Sequence, residues 1–248
     1  MGTGPHLCFL HGFCEDSRIW EPLVTELSQN YTCIVIDLPG FGASKHTPFS
    51  TIPEVTLQVR ELLHHEGVVQ PILLGHSLGG YIAAEYIHQF GDEIDAVALI
   101  HSTTYADTDA KKENRLRSID FIQKHGTTEF FRVFVPGLVA LPHRARLRDD
   151  LIAMVNDAPT PSVVAGLRAM RAREDRRESL STYHKPVLIL RGEEDQYYQA
   201  QDIYMQASLC SAVQISNIPN VGHLSMLEDP KKCLIEVKHF LEFTNAIG

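Results

Sequence analysis

A short apolar strand runs into a helix through one sharp turn within residues 71–86. Residues 72–74 have the continuous apolar character of a buried strand, and the apolar period of a helix begins directly after Gly80. Ser77 lies at the turn. So short a connection forces its middle residue into a strained backbone conformation, which requires small neighbours. The turn therefore predicts a serine hydroxyl above the carboxyl end of a sheet, beside the unpaired N–H groups that begin a helix.

The five residues around this serine are Gly75-His76-Ser77-Leu78-Gly79, which has the form G-x-S-x-G. With this pattern the chain resembles the α/β-hydrolases, whose nucleophile elbow has the same form. The resemblance implies that Ser77 is the nucleophile and that Gly75, His76 and Gly79 support the elbow, with the His76 ring as a packing group. The pattern alone is only moderately specific, because small residues also surround serine in ordinary loops.

The chain on either side of the elbow alternates strands with helices. Its order, βαβαβαβ, predicts a mostly parallel α/β-hydrolase sheet of about six strands flanked by helices, and 248 residues suit one such domain. Most members of the family have two further strands before a His-Gly loop that this chain reaches by residue 11. We therefore expect the first two family strands to be missing. Thr32–Ile36 then becomes an edge strand, which we expect a loop, the N-terminus or a second subunit of a homo-oligomer to cover.

Strand signal is absent from residues 102–185, which form a helical insertion. Helices are predicted at residues 109–124, 128–135, 144–156 and 162–173, with prolines between them. The insertion carries 15 Lys and Arg against 11 Asp and Glu, although the whole chain has a net charge of −9. By resemblance it occupies the position of the family's lid, so residues 1–101 and 186–248 are expected to form the hydrolase core.

The resemblance also implies where the partners of Ser77 lie, because the family supplies them in the order serine, acid, histidine. The acid follows the strand after the lid, where Asp195 ends a G-x-x-D pattern, with Glu193 and Glu194 as neighbouring alternatives. His223 follows the last strand. A serine hydroxyl needs such a base to take its proton, and the base needs a carboxylate to fix its tautomer. Ser77, Asp195 and His223 are thus the predicted catalytic residues.

A second loop, His11-Gly12-Phe13, completes the predicted site. The backbone N–H groups of Phe13 and Leu78 are expected to form an oxyanion hole by resemblance. His11 is expected to shape its loop through hydrogen bonds, and Gly12 to support it. Asp37 ends a strand and is expected to anchor the loop that follows.

Several other classes of protein are disfavoured. The five cysteines lack the spacing of a disulfide framework or a zinc site, and no metal-ligand or phosphate-loop motif is present, so we expect no metal and no cofactor. The strongly acidic remainder of the chain argues against a nucleic-acid partner. No apolar run is long enough to span a membrane, and the first residues do not form a secretory signal. A cytoplasmic protein acting on a small molecule is expected.

The resemblance implies a serine hydrolase, with a carboxylesterase as the default and lactonase, thioesterase and C–C bond hydrolase as open alternatives. Arginines of the insertion leave a different enzyme class open, because one or two of them could bind a substrate carboxylate. The menaquinone-pathway lyase that expels pyruvate from a dicarboxylate has this fold. A third alternative is a non-catalytic hydrolase-fold receptor for a small molecule. The simpler interpretation is that the arginines of the insertion form a solvated face docked on the acidic core. These arginines are Arg115, Arg117, Arg168, Arg171, Arg173, Arg176 and Arg177.

Overall fold

The computed structural model describes residues 1–247. Its centre is a six-stranded sheet in the order β2-β1-β3-β4-β5-β6, and each neighbouring pair is parallel. The strands are β1 (His6–Leu10), β2 (Thr32–Ile36), β3 (Ile72–His76), β4 (Ala96–Ile100), β5 (Val187–Gly192) and β6 (Val213–Ile218). Because all strands run in the same direction, their carboxyl ends meet at one edge of the sheet, and the loops that follow them lie together there.

The helices within this range are α1 (Glu21–Leu27), α2 (Ile52–His65), α3 (Leu78–Phe90), α4 (Asp109–His125), α5 (Thr127–Leu138), α6 (Arg144–Asn156), α7 (Thr160–Ala172), α8 (Arg177–Thr182), α9 (Ala200–Ala207), α10 (Ser225–Glu228) and α11 (Pro230–Ile247). Helix α3 packs on β1, β3 and β4, whereas α11 packs on β5 and β6. Helices α4 to α8 form the insertion between β4 and β5. The sheet flanked by helices confirms the predicted fold class.

Local sequence signals account for several of these boundaries. Thr51 caps α2 by accepting from the backbone of Glu54, whose side chain accepts in return from the backbone of Thr51. Asp16 caps a short 3-10 helix that leads into α1. One predicted boundary is wrong, because α5 continues through Pro136 to Leu138. Helices α8 and α10 were not predicted, since each is too short to show an apolar period.

The edge strand β2 is partly covered by the start of the chain. The N–H of Cys33 donates to the carbonyl of Met1 at 2.7 Å, and the amino group of Met1 donates back to the carbonyl of Cys33 at 2.8 Å. Of the three covers predicted for this edge, the structure shows the N-terminus in place. Backbone groups that are paired in this way are unavailable to a strand from another chain.

The arginines of the insertion were expected to form a solvated face, but several of them make buried ion pairs instead. Arg176 pairs with Glu85 of α3 at 2.7 Å, and this pair ties the insertion to the core. Arg173 and Arg115 both pair with the buried Asp107. Arg117 is on the surface, with 71% of its side chain exposed.

No helix within residues 1–247 is both long and apolar enough to cross a membrane.

Candidate active site

The turn between β3 and α3 has the strained geometry that its sequence predicts. Ser77 adopts φ 48° and ψ −108°, a backbone conformation that residues other than glycine rarely take. Its N–H donates to the carbonyl of Ile100 at 3.0 Å, which fixes the turn to β4. A Cβ at Gly75 would lie 2.5 Å from the carbonyl oxygen of Gly79, and one at Gly79 would collide with the carbonyl of Leu10. Only glycine at these two positions lets the helix start so close to the sheet.

Asp195 and His223 form a buried hydrogen-bonded pair. Nδ1 of His223 lies 2.8 Å from Oδ2 of Asp195, and the other carboxylate oxygen accepts from the N–H of Tyr197 at 2.9 Å. Burial by itself would raise the pKa of Asp195, but the histidine neighbours outweigh it and hold that pKa well below its ordinary value. Burial would lower the pKa of His223, yet the Asp195 carboxylate raises it above the ordinary 6.5. The geometry leaves Nε2 of His223 free to accept a proton.

A second histidine, His101, contacts the same carboxylate and was not identified from the sequence. Its Nδ1 lies 3.2 Å from Oδ2 of Asp195, and its Nε2 lies 2.8 Å from the hydroxyl of Ser225. Burial lowers the pKa of His101 to about 4, so the ring is neutral at pH 7. His101 directly follows β4 at the carboxyl edge of the sheet. This position after a strand was the one sequence signal that could have identified His101 as a residue of the site.

Glu15 and His76 form a second buried network beside the first. Nδ1 of His76 lies 2.8 Å from Oε2 of Glu15, and Nε2 lies 2.8 Å from the carbonyl oxygen of His223. The same Glu15 oxygen accepts from the N–H of Gly12 at 2.7 Å. The prediction that the His76 ring only packs is therefore wrong, because the ring connects two functional loops. Glu15 was missed because nothing in the sequence pairs a loop carboxylate with a histidine 61 residues away.

The His-Gly loop is held by its own histidine, as expected. Nδ1 of His11 lies 2.8 Å from the carbonyl oxygen of Gly12, and Nε2 accepts from the N–H of Leu38 at 2.9 Å. Among the residues that the structure describes, no atom accepts a hydrogen bond from the N–H of Phe13 or of Leu78. Both are therefore available to a bound group. Asp37 anchors the next loop by accepting from the backbones of residues 17 and 43, each at 2.7 Å.

Two adjoining cavities open at this edge of the sheet. The inner one, of about 60 Å³, is lined by Ser77, His223, Glu15 and Phe13 among others. Within residues 1–247 the Ser77 hydroxyl forms no hydrogen bond to His223, although both side chains line this cavity; such bonds are often long before substrate binds. The outer cavity, of about 210 Å³, has no serine or histidine of the site in its wall. Six residues line both cavities and so mark where they meet: Phe13, Tyr81, Arg115, Phe134, Tyr197 and Tyr198.

One group of side chains has the composition of a metal site. Donor atoms of His101, Asp195 and His223 all lie within 4.8 Å of one another, the one such group in the described part of the chain. Both imidazoles direct Nδ1 at the carboxylate to which they are hydrogen-bonded. A metal ion would have to displace these bonds, so the donor set suits a hydrogen-bonded network better than a metal.

The comparison with known proteins agrees with this geometry. A model of the alpha/beta hydrolase fold family matches residues 5–230. The chain belongs to that family. A thermophilic esterase from Thermogutta terrifontis, solved with malate bound, superposes with a TM-score of 0.93 at 26% identity, covering 98% of this chain and 92% of the other. The two chains therefore share the fold over nearly their whole length.

Two relatives with assigned activities are also similar over most of their length. A pimeloyl-(acyl-carrier protein) methyl ester esterase from Nitrosomonas europaea is 27% identical, covering 93% of each chain. A 2-succinyl-6-hydroxy-2,4-cyclohexadiene-1-carboxylate synthase from Salmonella heidelberg is 28% identical, covering 91% of this chain and 89% of its own. The chain is an α/β-hydrolase enzyme, and its relatives catalyse more than one reaction.

Proposed function

We propose that this protein is a serine hydrolase of small ester-like substrates, of the carboxylesterase type, acting through an acyl-enzyme at Ser77. The observation that carries the proposal is the buried Asp195–His223 pair beside a serine held in the strained elbow conformation. We also propose that residues 102–185 form a cap over a core of residues 1–101 and 186–248. Support comes from the two cavities, whose walls combine residues of the insertion with residues of the loops after the strands.

The residues supply each step of ester hydrolysis. Nε2 of His223 takes the proton of the Ser77 hydroxyl as its oxygen attacks the ester carbonyl carbon, and the N–H groups of Phe13 and Leu78 hold the resulting oxyanion. The C–O bond then breaks, and His223 gives the proton to the leaving alcohol. A water molecule, losing its proton to His223, attacks the acyl carbon and releases the acid, after which the proton returns to Ser77. Asp195 stabilises the imidazolium in both halves.

The test compares matched serine variants on p-nitrophenyl butyrate. Ser77→Ala should lower kcat by about 10⁴- to 10⁶-fold, because the covalent route is lost. Ser181→Ala, which alters an exposed serine of α8, is the control and should retain full activity. Near-normal turnover by Ser77→Ala would remove Ser77 from the mechanism. Binding of the ester without turnover by the wild type would instead favour a small-molecule receptor.

A pyruvate-eliminating lyase is the second candidate, and two observations favour it. Arg115 of the insertion lines both cavities, and the similar synthase from Salmonella heidelberg is named for a succinyl-bearing carboxylate. A lyase of this type would release pyruvate from a dicarboxylate and would hydrolyse neutral esters poorly. Efficient hydrolysis of neutral nitrophenyl esters supports the esterase over the lyase. Lactonase, thioesterase and C–C bond hydrolase activities use the same nucleophile and are separated only by substrate.

A further inference from the structure

One face of α4 is polar where it meets the outer cavity. The residues on this face are spaced i, i+3, i+4 and i+7, so their side chains form one stripe along the helix. This stripe contains two cations and no apolar residue. Its members are Lys111, Asn114, Arg115 and Ser118, and all four line the cavity.

The two cations of the stripe are not neutralised within the cavity. No residue in the wall of this cavity, all of which lies in the described part of the chain, is acidic. Nζ of Lys111 donates to the carbonyl of Tyr197 at 3.2 Å and lies 5.2 Å from the centre of the Tyr198 ring. Both partners are uncharged, so no residue in the wall of this cavity neutralises Lys111.

Arg115 has a carboxylate partner, but that carboxylate is shared. Asp107 also pairs with Arg173, whose NH1 donates to it at 2.7 Å and also donates to the carbonyl of Met170, while Nε donates to the carbonyl of Tyr105. Arg173 is buried and suffices to neutralise Asp107. Arg115 donates to Asp107 through Nε and NH2 and to the sulfur of Met170 through NH1. Two of its five N–H groups therefore remain unused, and the cluster has a net charge of +1.

Tyr81 lies close to the positive charge of this arginine cluster. Its ring lies 3.9 Å from the Arg173 guanidinium carbon, and its hydroxyl is 2.6 Å from that of Tyr198. Burial would raise the pKa of Tyr81, but the charges of Arg173 and Arg115 outweigh burial and hold that pKa below its ordinary value. Tyr81 therefore lies within the electrostatic field of these two arginines.

We propose that Arg115 and Lys111 form a carboxylate-binding subsite, so that the preferred ester carries a carboxylate on the chain that extends from the reacting carbonyl into the outer cavity. The inference rests on the proposed ester hydrolysis, because Arg115 lines both the cavity that holds Ser77 and the outer cavity. The aromatic wall between the two ends suits an aliphatic or aromatic spacer. The planar guanidinium has two N–H groups with which to meet the carboxylate oxygens.

The test measures binding of unreactive amides to the Ser77→Ala protein by calorimetry. Adipic acid monoamide is compared with hexanamide, and N-acetyl-6-aminohexanoate with N-hexylacetamide, which place the carboxylate on the acyl side and on the leaving-group side. In at least one pair the acid should bind about tenfold or more tightly than its neutral partner. Arg115→Met should abolish that advantage, since Asp107 retains Arg173. Equal affinity within both pairs would overturn the subsite.

Two further variants keep the result interpretable. Arg117→Met, two residues further along on the exposed face of α4, should preserve the preference. Lys111→Met alters an exposed residue and should reduce the preference about threefold or more, which decides the matter if Arg115→Met does not fold. Fluorophosphonate labelling of Ser77 in the wild type tests the hydrolase proposal separately. Label without an acid preference discards the subsite alone, whereas a preference without label supports the subsite and discards the hydrolase.

Discussion

Glu15 and His76 form a buried hydrogen-bonded pair between two loops of the site. Nε2 of His76 faces a carbonyl oxygen, which can only accept, so this nitrogen must donate. Nδ1 lies 2.8 Å from the carboxylate oxygen Oε2 of Glu15. Burial would raise the pKa of Glu15, but its charge and hydrogen-bond interactions with His76 outweigh burial and hold that pKa below its ordinary value. A buried hydrogen-bonded pair thus joins the Gly12 loop to the His223 loop.

Removing the charge of Glu15 should therefore loosen both loops. We expect Glu15→Gln to lower the free energy of unfolding by about 3 kcal/mol, because one partner of a buried pair is lost. Urea denaturation at pH 7 measures this, with Glu26→Gln on the exposed face of α1 as the matched control. A midpoint equal to that of the control would show that the Glu15–His76 pair does not stabilise the fold.

The contribution of Glu15 should also depend on pH. A carboxyl group whose folded pKa is lowered contributes stability that is fully present above its ordinary pKa of 4.5 and is lost as the pH falls through the folded value. The difference in unfolding free energy between wild type and Glu15→Gln should hence be constant from pH 7 to 5 and shrink below 4.5. A difference that grows on acidification has the wrong sign for this account.

The raised pKa of His223 sets the pH dependence of catalysis. Only the neutral ring can take the Ser77 proton, so kcat/KM should rise with pH along a single limb whose midpoint lies above 6.5. Asp195→Asn should lower kcat by about 10⁴-fold, because the tautomer of His223 is no longer fixed. Stopped-flow or steady-state rates from pH 5 to 9 measure both. A midpoint below 6.5 would mean that the Asp195 charge does not reach the base.

The lowered pKa of His101 should make the stability of the protein depend on pH. The unfolded chain binds a proton at an ordinary histidine pKa of 6.5, whereas the folded chain does so only at about 4, so unfolding free energy should rise with pH over this interval. For one such group the change is about 3 kcal/mol. His101→Gln should remove this rise, which denaturation between pH 4 and 7 detects by difference from wild type. Parallel curves for the two proteins would show that His101 titrates normally.

The pair between Arg176 and Glu85 should hold the insertion on the core. Their side chains are 13% and 5% exposed, so the pair is shielded from solvent. A double-mutant cycle of Arg176→Met and Glu85→Gln should give a coupling energy of about 1–3 kcal/mol. Arg177→Met, which breaks a more exposed pair with Asp175, should cost less than about 1 kcal/mol. Zero coupling would mean that packing alone docks the insertion.

The sheet and the elbow were predictable because their causes are local. A β-branched run favours a strand and closely spaced glycines permit a sharp turn, and Thr32–Ile36 was predicted to the residue. The contacts that orient the site were not predictable in this way. His101 meets Ser225 across 124 residues, and Glu15 meets His76 across 61. Such pairs depend on which loops the folded sheet brings together.

The different positions of two neighbouring arginines could not be predicted from the sequence either. Arg115 and Arg117 are two residues apart in a basic, polar helix, and composition does not distinguish them. A helix turns about 200° over two residues, so one side chain reaches the cavity and the other is exposed to solvent. Their separate roles follow only from the packing of α4.

Covalent labelling tests the central claim most directly. Wild-type protein treated with a fluorophosphonate should gain the mass of one phosphonyl group, located by peptide mapping on Ser77. His223→Ala should label far more slowly, because the serine hydroxyl then has no base. Ester hydrolysis that persists while Ser77 remains unmodified, or a label found on another residue, would contradict the account.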